Sequence, residues 1–439
     1  MNAWLGEMNQ WLSANPEWLG ATIFLVACVE CLAIAGLIVP GTVALFAVAA
    51  LAGGGALSLG DTLLLGYAGG LVGDALSYAI GRGMDQNIRR LPGLRSHPQW
   101  LTSAEGFIQR YGVASLLVGR FIGPLRPMLP MVAGMLKMPL PRFTLVSLLA
   151  AAGWSVAYLL PGWMTGAAVR LPLPAGFWPQ AAAVAIGLAA LIGLAINSSL
   201  RRQPSATVVT SAASFGLMLA VFLGWPYLTH FDEGLVALVQ EHRSPGLDRI
   251  VVAVTRLGDF RTQAWVGVLL TLLLLAARHW RHALFAGGVL LCTALGNGTL
   301  KWLFSRARPE VLSTPLSTYS MPSGHSSASF AFFLVLAVLA SRGQPPRMRL
   351  TWMLVACIPA LSIALSRVYL GAHWPTDVLA GALLAVFVCA AGLAITLRVH
   401  RLEPLGLRTW CLVLVPCLLS FAWFTWHDLA AALSQYAYQ

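Results

Sequence analysis

Three cationic side chains lie at the ends of apolar segments in the second half of the chain, where they could bind a dianionic phosphate. Lys301 and Arg308 belong to "KWLFSRARP" (301–309), and Arg367 belongs to "SRVYLGAHWPTD" (366–377). Arginine binds phosphate oxygens through two parallel hydrogen bonds, and lysine adds a compact point charge. A single such residue at a helix end usually only extends its charge to the membrane surface. Three of them on one face favour phosphate binding.

The segment "PSGH" (322–325) adds hydrogen-bond donors and a first histidine. Ser323 and Gly324 stand directly before an apolar stretch that reads as a helix. The free amide groups and the positive dipole end of a helix start can bind an anion. His325 can protonate a leaving oxygen and later activate a water molecule. Alone, Ser-Gly is a common turn and a histidine is usually structural, so the interpretation depends on the neighbouring motifs.

A second histidine, His373, lies just before Pro375, which can occupy the first position of the next helix. Asp377, four residues after His373, can contact one imidazole nitrogen and select the tautomer. The other nitrogen is then free to attack phosphorus. We see no cluster of carboxylates in the sequence that could hold magnesium or a metal pair. We therefore expect metal-independent hydrolysis without a cofactor.

The composition indicates an all-α polytopic membrane protein. Of 439 residues, 58% are hydrophobic and only 10% are charged, which is too few charges to coat a soluble domain. Apolar runs recur that reach the length of about 20 residues needed to cross a bilayer as a helix. The formal charge of +12 is spread over short loops between these runs. That distribution is typical of topology signals and excludes nucleic acid as the expected partner.

The second block is expected to place all three motifs on one membrane face. Alternate loops are rich in arginine, and by the positive-inside rule these loops are cytoplasmic. The loops on the opposite face, 230–262, 304–325 and 367–375, carry the motifs and most of the acids. The spans that we predict for this block are 207–229, 263–277, 283–303, 326–341, 350–366, 376–397 and 408–426.

The first block contains two apolar stretches that are interrupted by proline. Residues 18–57 are broken at Pro40, and residues 113–136 contain three prolines between two basic segments. Each stretch reads as a re-entrant hairpin followed by a span, over 18–81 and 113–162, in opposite orientations. Paired interruptions of this kind predict an inverted repeat whose site lies where the broken segments meet.

Four ionisable residues fall within the apolar segments of this block: Glu30, Asp74, Arg120 and Arg126. Charged groups at membrane depth are costly, so they are paired or functional. One interpretation is a structural Glu–Arg pair that locks the two hairpins together. The other is a site where the arginines meet a lipid phosphate and a carboxylate couples to protons. The sequence leaves both open.

The three motifs of the second block resemble, in order and spacing, those of the type 2 phosphatidic acid phosphatase family, over about 200–400. That family is related to vanadium haloperoxidases and bacterial acid phosphatases. The resemblance implies a six-helix bundle in which His373 is the nucleophile, His325 the acid/base and Asp377 the group that orients His373. The span at 408–426 would be one extra helix. The residues implied in phosphate binding are Lys301, Arg308, Ser323, Gly324 and Arg367.

The first block, over about 15–200, resembles the DedA family of proposed lipid transporters or scramblases. The resemblance is carried by Glu30, the Pro40-Gly41 break, residues 70–82 and "RFIGPLRP" (120–127). Many members have an acidic residue after Pro-Gly, near the position of Thr42 in this chain. Thr42 does not titrate, so proton coupling is in question for this chain.

We therefore predict three parts: a DedA-like lipid-transport domain (1–200), a membrane lipid phosphatase domain (201–400) and an additional transmembrane helix (401–439). The expected location is the bacterial inner membrane, with the phosphatase site facing the periplasm. The expected substrate is undecaprenyl pyrophosphate, whose lipid phosphate product the first domain would move inward. The alternative is a phosphatidic acid or phosphatidylglycerol phosphate phosphatase with a non-transporting scaffold. Membrane lipids are the other expected partners, and the sequence leaves open whether the chain forms a homo-oligomer.

Overall fold

The computed structural model is helical and forms two compact units, Met1–Leu173 and Pro174–Gln439. Every regular element within the described residues is a helix, as the composition predicts. Eight of these helices are long and apolar enough to cross a membrane, or nine if the bent pair Pro245–Arg256 and Phe260–Ala276 forms one span. The structure describes residues 11–12, 14–33, 35–38, 41–84, 87, 98–111, 114–120, 126–171, 173–200, 205–313, 316–399, 402–427 and 429–437.

The first unit combines two long helices with several short ones. The long helices α3 and α7 are candidate spans, and α3 packs against α1, α6 and α7. Within the described residues, the α-helices of this unit with six or more residues are α1 (Leu19–Cys31), α2 (Gly41–Leu51), α3 (Leu59–Met84), α4 (Pro98–Tyr111), α5 (Ala114–Gly119), α6 (Met128–Met135) and α7 (Leu140–Arg170).

The two apolar stretches predicted as hairpins are divided into short helices. Helices α1 and α2 have 13 and 11 residues and pack against each other. Helices α5 and α6 have 6 and 8 residues and are also in contact. None of these reaches the length of about 20 residues that a span requires. Of the prolines predicted to break these stretches, Pro40 and Pro124 lie outside the described residues, whereas Pro127 directly precedes α6 and Pro130 lies within it. The inverted relation of the two hairpins stays a prediction.

Close helix packing in the first unit depends on glycines of α3. A methyl group built on Gly73 would meet the Cys28 carbonyl oxygen and the Cys31 side chain of α1. One built on Gly81 would overlap the Met131 backbone of α6. Small residues let helix backbones approach within a membrane, where van der Waals contact replaces the hydrophobic effect between helices. These glycines therefore set the position of α1 and α6 on α3.

The second unit is a bundle of long helices with a layer of shorter ones at one end. Helix α14 packs against both α15 and α16, and α9 packs along α16. The helices are α8 (Phe177–Leu200), α9 (Ala206–Gly224), α10 (Thr229–Glu241), α11 (Pro245–Arg256), α12 (Phe260–Ala276), α13 (Trp280–Phe304), α14 (Gly324–Ala340), α15 (Pro346–Tyr369), α16 (Pro375–Val399), α17 (Leu407–His427) and α18 (Leu429–Gln435).

The first helix of the second unit is the one that we assigned by sequence to the end of the first domain. Helix α8 packs against α9 and α10, and the boundary between the compact units falls at 173/174. Residues 201–204, which directly follow the domain boundary predicted after residue 200, lie outside the described residues. The three motifs meet at one end of the unit, in the loop 305–323, at the start of α14 and in the loop 370–374.

Helix starts in this layer follow simple local rules. Ser323 precedes α14 in an extended conformation, and its side chain accepts a hydrogen bond from the Ser326 amide. Pro375 begins α16, where its missing amide hydrogen costs nothing. The Ser323 amide also donates to the Asp377 carbonyl oxygen at 2.9 Å, which joins the start of α14 to the start of α16.

Replacement of Gly81 by alanine is expected to destabilise the first unit by about 1–3 kcal/mol, because the methyl group overlaps α6 backbone rather than a flexible side chain. Gly83, two residues later in α3, is a matched control with no atom near its missing side chain. Gly83→Ala should be neutral or stabilising, since alanine is the better helix former. Thermal unfolding in detergent compares the two, and equal melting temperatures would contradict the packing account.

Candidate functional site

His373 lies in the loop between α15 and α16 with only 2% of its surface exposed. Its Nδ1 is 3.3 Å from the Ser320 hydroxyl and 3.6 Å from Asp377 Oδ2. The Ser320 hydroxyl itself donates to Asp377 Oδ2. A carboxylate and a hydroxyl on this side favour the tautomer with the proton on Nδ1. Nε2 therefore carries the lone pair, which is the arrangement a nucleophilic imidazole needs.

Arg308 lies against the lone-pair side of His373. Its Nη1 is 3.1 Å from His373 Nε2 and donates to the Ala372 carbonyl oxygen at 2.6 Å. Its Nε donates to the Thr318 carbonyl oxygen at 2.7 Å. Burial and the nearby Arg367 lower the pKa of Arg308 to about 10, so the group remains charged at neutral pH. A cation thus faces the nitrogen from which an attack on phosphorus would start.

The electrostatic surroundings keep His373 neutral. Burial lowers the pKa of His373 well below its usual range, and the neighbouring cations, Arg308 first among them, lower it further. Lys301 and His325 also lower the pKa of His373. A neutral imidazole retains the lone pair that nucleophilic attack requires.

The predicted phosphate-binding cations are hydrogen-bonded to neutral acceptors. Lys301 Nζ donates to the Tyr319 carbonyl oxygen at 2.7 Å. Arg367 is 2% exposed, and its Nη1 donates to the hydroxyls of Thr255 and Tyr436. Arg308 likewise bonds carbonyl and hydroxyl oxygens and the imidazole. Among the described residues none of the three forms an ion pair with a carboxylate, so their positive charge is available to an anion.

An arginine that the sequence analysis missed holds the acidic side of this site. Arg306 Nη1 donates to Asp377 Oδ1 at 2.8 Å, and its Nη2 donates to Asp232 Oδ2 at 2.7 Å. The Thr376 hydroxyl completes the network at 2.6 Å from Asp232 Oδ2. The guanidinium also stacks on Trp225, with its Cζ 4.2 Å from the ring centroid. Arg306 stands two residues before Arg308 in a motif already singled out, and that spacing was the available signal.

The second histidine has a carboxylate of its own. His325 Nε2 is 3.0 Å from Asp259 Oδ1, and Asp259 immediately precedes α12. Asp259 lies in the predicted outer loop 230–262, whose acids were not predicted to reach the site. Gly324, the first residue of α14, lies beside the Asn297 side chain of α13. The eight predicted residues of this site thus lie at one end of the second unit, with Asp259, Arg306 and Ser320 as additional members.

The four ionisable residues that we singled out within the apolar segments of the first unit form two buried ion pairs. Arg126 pairs with Glu30, and Arg120 pairs with Asp74. The Ser147 hydroxyl also donates to Asp74 Oδ2, at 2.5 Å. The first pair joins α1 to the segment before α6, as the structural interpretation requires. Pairing offsets most of the cost of burying these charges.

This network also contains polar atoms without a partner among the described residues. They are Glu30 Oε2, the Nε atoms of Arg120 and Arg126, and Trp154 Nε1. The two guanidinium carbons lie 5.1 and 5.9 Å from the Trp154 ring centroid, so one indole contacts both pairs. Thr42 donates its hydroxyl hydrogen to Glu30 Oε1 at 3.1 Å. Thr42 therefore supplies a hydrogen bond where many DedA relatives are expected to have a second acid.

Taken together, these features define a multi-pass helical membrane protein with a histidine–arginine site in one unit and paired ions in the other. Comparison with protein families identifies both parts. The VTT domain matches residues 39–164, and the PAP2 superfamily matches residues 282–401. The chain is a fusion of a DedA-family (VTT) domain with a PAP2-superfamily domain, which confirms both resemblances.

Individual relatives match one part or the other. Inner membrane protein YabI of Escherichia coli (strain K12) is 39% identical over 150 residues, which are 34% of this chain and 59% of that protein. Phosphatidylglycerophosphatase B of Bacillus subtilis (strain 168) is 28% identical over 177 residues, which are 38% of this chain and 84% of that protein. The chain therefore spans less than two thirds of the first relative's length.

A solved structure was also found, the first transmembrane PAP2 type phosphatidylglycerolphosphate phosphatase from Bacillus subtilis. It is 24% identical, and the alignment covers 44% of this chain and 98% of that chain. The TM-score is 0.40, which is too low to establish a shared fold.

Replacement of Arg306 by methionine is expected to destabilise the protein by about 3–5 kcal/mol, because it leaves the buried carboxylates of Asp232 and Asp377 without their shared cation. Denaturant unfolding in mixed detergent micelles measures this loss. The same substitution at Arg261, an exposed arginine of α12, is the control and should change the unfolding free energy by less than about 0.5 kcal/mol. An Arg306→Met variant as stable as the control would disprove the role of this network.

Proposed function

We propose that the second unit is a lipid phosphate phosphatase that works through a phosphohistidine on His373. The observation that carries this proposal is the set of three cations bonded to neutral acceptors around a neutral, buried imidazole. Such a site attracts a dianion and offers it a nucleophile. The PAP2-superfamily match and the similarity to phosphatidylglycerophosphatase B support the same reaction class.

In the first half-reaction, His373 Nε2 attacks the phosphorus atom of the bound lipid phosphate. The Arg308 guanidinium shifts its hydrogen bond from Nε2 to a phosphate oxygen as substrate enters, which frees the lone pair. The bond between phosphorus and the lipid oxygen, or the bridging oxygen of a pyrophosphate, breaks. The negative charge of the bound phosphate, together with Asp259, favours protonation of His325, which then gives its proton to that leaving oxygen. Lys301, Arg308 and Arg367 stabilise the charge on the equatorial oxygens of the transition state.

In the second half-reaction, water replaces His373 on phosphorus. His325, now neutral, accepts a proton from the water molecule as the oxygen attacks, so its charge returns to the starting state. The bond between Nε2 and phosphorus breaks, and inorganic phosphate leaves. Asp377 and Ser320 keep the proton on Nδ1 throughout, so His373 regains its lone pair on Nε2. The Ser323 hydroxyl and the Gly324 amide supply hydrogen-bond donors at the start of α14, since the Ser323 amide already donates to Asp377.

We propose undecaprenyl pyrophosphate as the substrate and the periplasmic face of the bacterial inner membrane as the site of reaction. The arginine-rich alternate loops support this orientation. The fusion to a DedA-family domain supports the substrate, because a lipid phosphate made at the outer face has to return inward for reuse. The first unit would then carry that product across, with Arg120 and Arg126 meeting its phosphate.

The alternative keeps the same chemistry with another substrate. The name of the Bacillus subtilis relative, phosphatidylglycerophosphatase B, favours phosphatidylglycerol phosphate or a related phospholipid such as phosphatidic acid. In that case the first unit would serve as a membrane scaffold. Its two buried ion pairs, and the hydrogen bond from Thr42 to Glu30, are compatible with a structural role.

Release of phosphate from a panel of lipid phosphates is the test of the phosphatase proposal. The wild-type protein in detergent should hydrolyse undecaprenyl pyrophosphate with the highest kcat/KM, ahead of phosphatidylglycerol phosphate and phosphatidic acid. His373→Ala should lower the rate by at least about a thousandfold, because the nucleophile is lost. His427→Ala, which changes an exposed histidine of α17, should leave the rate unchanged. Full turnover by His373→Ala would refute the mechanism, and a preference for phosphatidylglycerol phosphate would select the alternative.

Transport is tested in liposomes with labelled lipid phosphate. The paired change Glu30→Gln with Arg126→Gln removes both charges but retains hydrogen-bonding groups, so the fold should tolerate it. If the pair binds lipid phosphate, flux should fall to the level of protein-free liposomes. Arg142→Gln, at an exposed position of α7, is the control. Wild-type flux no higher than that of protein-free liposomes would favour the scaffold interpretation, and wild-type flux retained by the double variant would exclude this ion pair from the transport site.

A further inference from the structure

The C-terminal segment 429–437, which follows the last long helix α17, packs beside the loop 370–374 that carries His373. Tyr436 is 5% exposed and follows α18. It shares a buried cluster with Leu370 and Ala372, the residues that lead into His373. The remaining members of the cluster are Val252, Leu312 and Ala432. The extra C-terminal helices, beyond the six that the phosphatase resemblance implies, therefore reach the candidate active site.

Tyr436 makes two contacts with Arg367, one of the predicted phosphate-binding cations. Its hydroxyl accepts a hydrogen bond from Arg367 Nη1 at 2.9 Å, and its ring lies 5.1 Å from the guanidinium carbon. The same Nη1 donates to the Thr255 hydroxyl of α11, also at 2.9 Å. Both hydrogens of Nη1 are thereby used, and the plane of the guanidinium is defined.

The other edge of the Arg367 guanidinium, formed by Nε and Nη2, is available to bind a ligand. Its Nε is buried and has no hydrogen-bond partner among the described residues. A guanidinium presents its donors in a rigid planar fork, so two bonds on Nη1 determine where the Nε and Nη2 hydrogens point. That edge can bind one phosphate in a bidentate manner. A buried donor without a partner is costly, and an anion at this edge would remove the cost.

Tyr436 is itself held from two sides. The buried Arg243 side chain donates to the Tyr436 carbonyl oxygen and, at 3.4 Å, to the Leu370 carbonyl oxygen. The Ser313 amide and hydroxyl both donate to the Ala437 carbonyl oxygen, at 3.1 and 3.0 Å. Arg243 thus connects the C-terminal segment to the loop that carries His373. The phenol is placed with a precision that simple apolar packing would not provide.

We propose that Tyr436 is a positioning residue of the phosphatase site, one that acts through Arg367 and together with Thr255. It holds the guanidinium so that its Nε–Nη2 edge faces the substrate phosphate. This inference rests on the proposed phosphatase function. It also assigns a role to the appended helices α17 and α18, which complete the phosphate site from outside the six-helix bundle.

Tyr436→Phe is the primary test, because it removes the hydroxyl and retains the stacked ring. With phosphatidic acid in detergent micelles as the probe substrate, KM and the inhibition constant of orthovanadate should each rise about threefold to tenfold, the value of one hydrogen bond. Thr255→Val should act in the same direction, and the double variant should bind vanadate less tightly than either single one. Tyr227→Phe, at a tyrosine that is 80% exposed, is the matched control and should match the wild type.

Thermal unfolding separates positioning from packing. If Tyr436 only fills space, Tyr436→Phe will bind vanadate like the wild type, and only Tyr436→Ala will lose stability; that outcome overturns the inference. The proposed function fails separately, if His373→Ala retains phosphate release. Weaker vanadate binding by Tyr436→Phe with an unchanged melting temperature supports the positioning role.

Discussion

A buried carboxylate in a helical membrane protein needs a cation close by, and Arg306 meets this need for two of them at once. Asp232 of α10 and Asp377 of α16 both pair with its guanidinium, which joins α10 to the start of α16, just after the loop that carries His373. With Asp377 held in this way, its other oxygen faces His373 and Ser320. The tautomer of His373, the proposed nucleophile, thus depends on an ion pair on the side of Asp377 that faces away from the imidazole.

The two units treat buried charge differently. In the first unit Arg120 and Arg126 each pair with a carboxylate, so their buried network is close to neutral. In the second, Lys301, Arg308 and Arg367 donate to carbonyl and hydroxyl oxygens, so an excess of positive charge surrounds His373. Desolvated cations without carboxylate partners are destabilising for the protein alone and favourable once a dianion arrives. That difference is the physical reason to expect phosphate chemistry in the second unit.

Much of the fold could be predicted from the sequence, because apolar length determines a membrane span. The predicted span 283–303 corresponds to Trp280–Phe304, and 376–397 corresponds to Pro375–Val399. The helices α10 and α11 fall in the predicted loop 230–262 and were not predicted. Their apolar residues lie on one helix face and are interrupted by polar ones, so the sequence shows no continuous apolar run there. The motifs predicted which residues gather around His373. They did not predict Arg306–Asp232 or Arg367–Tyr436, because those partners are 74 and 69 residues apart and no local pattern relates them.

The central claim is that His373 becomes covalently phosphorylated during turnover. Rapid base quench of the protein during hydrolysis of a ³²P-labelled lipid phosphate, followed by peptide mass spectrometry, tests it most directly. A phosphoramidate is stable in base and labile in acid, so the account predicts an acid-labile label on His373. With a lipid pyrophosphate, whose leaving lipid phosphate needs no proton, the label should accumulate in His325→Ala, because the water that completes the reaction is not activated. Turnover without label on His373, or label on another residue, would contradict the account.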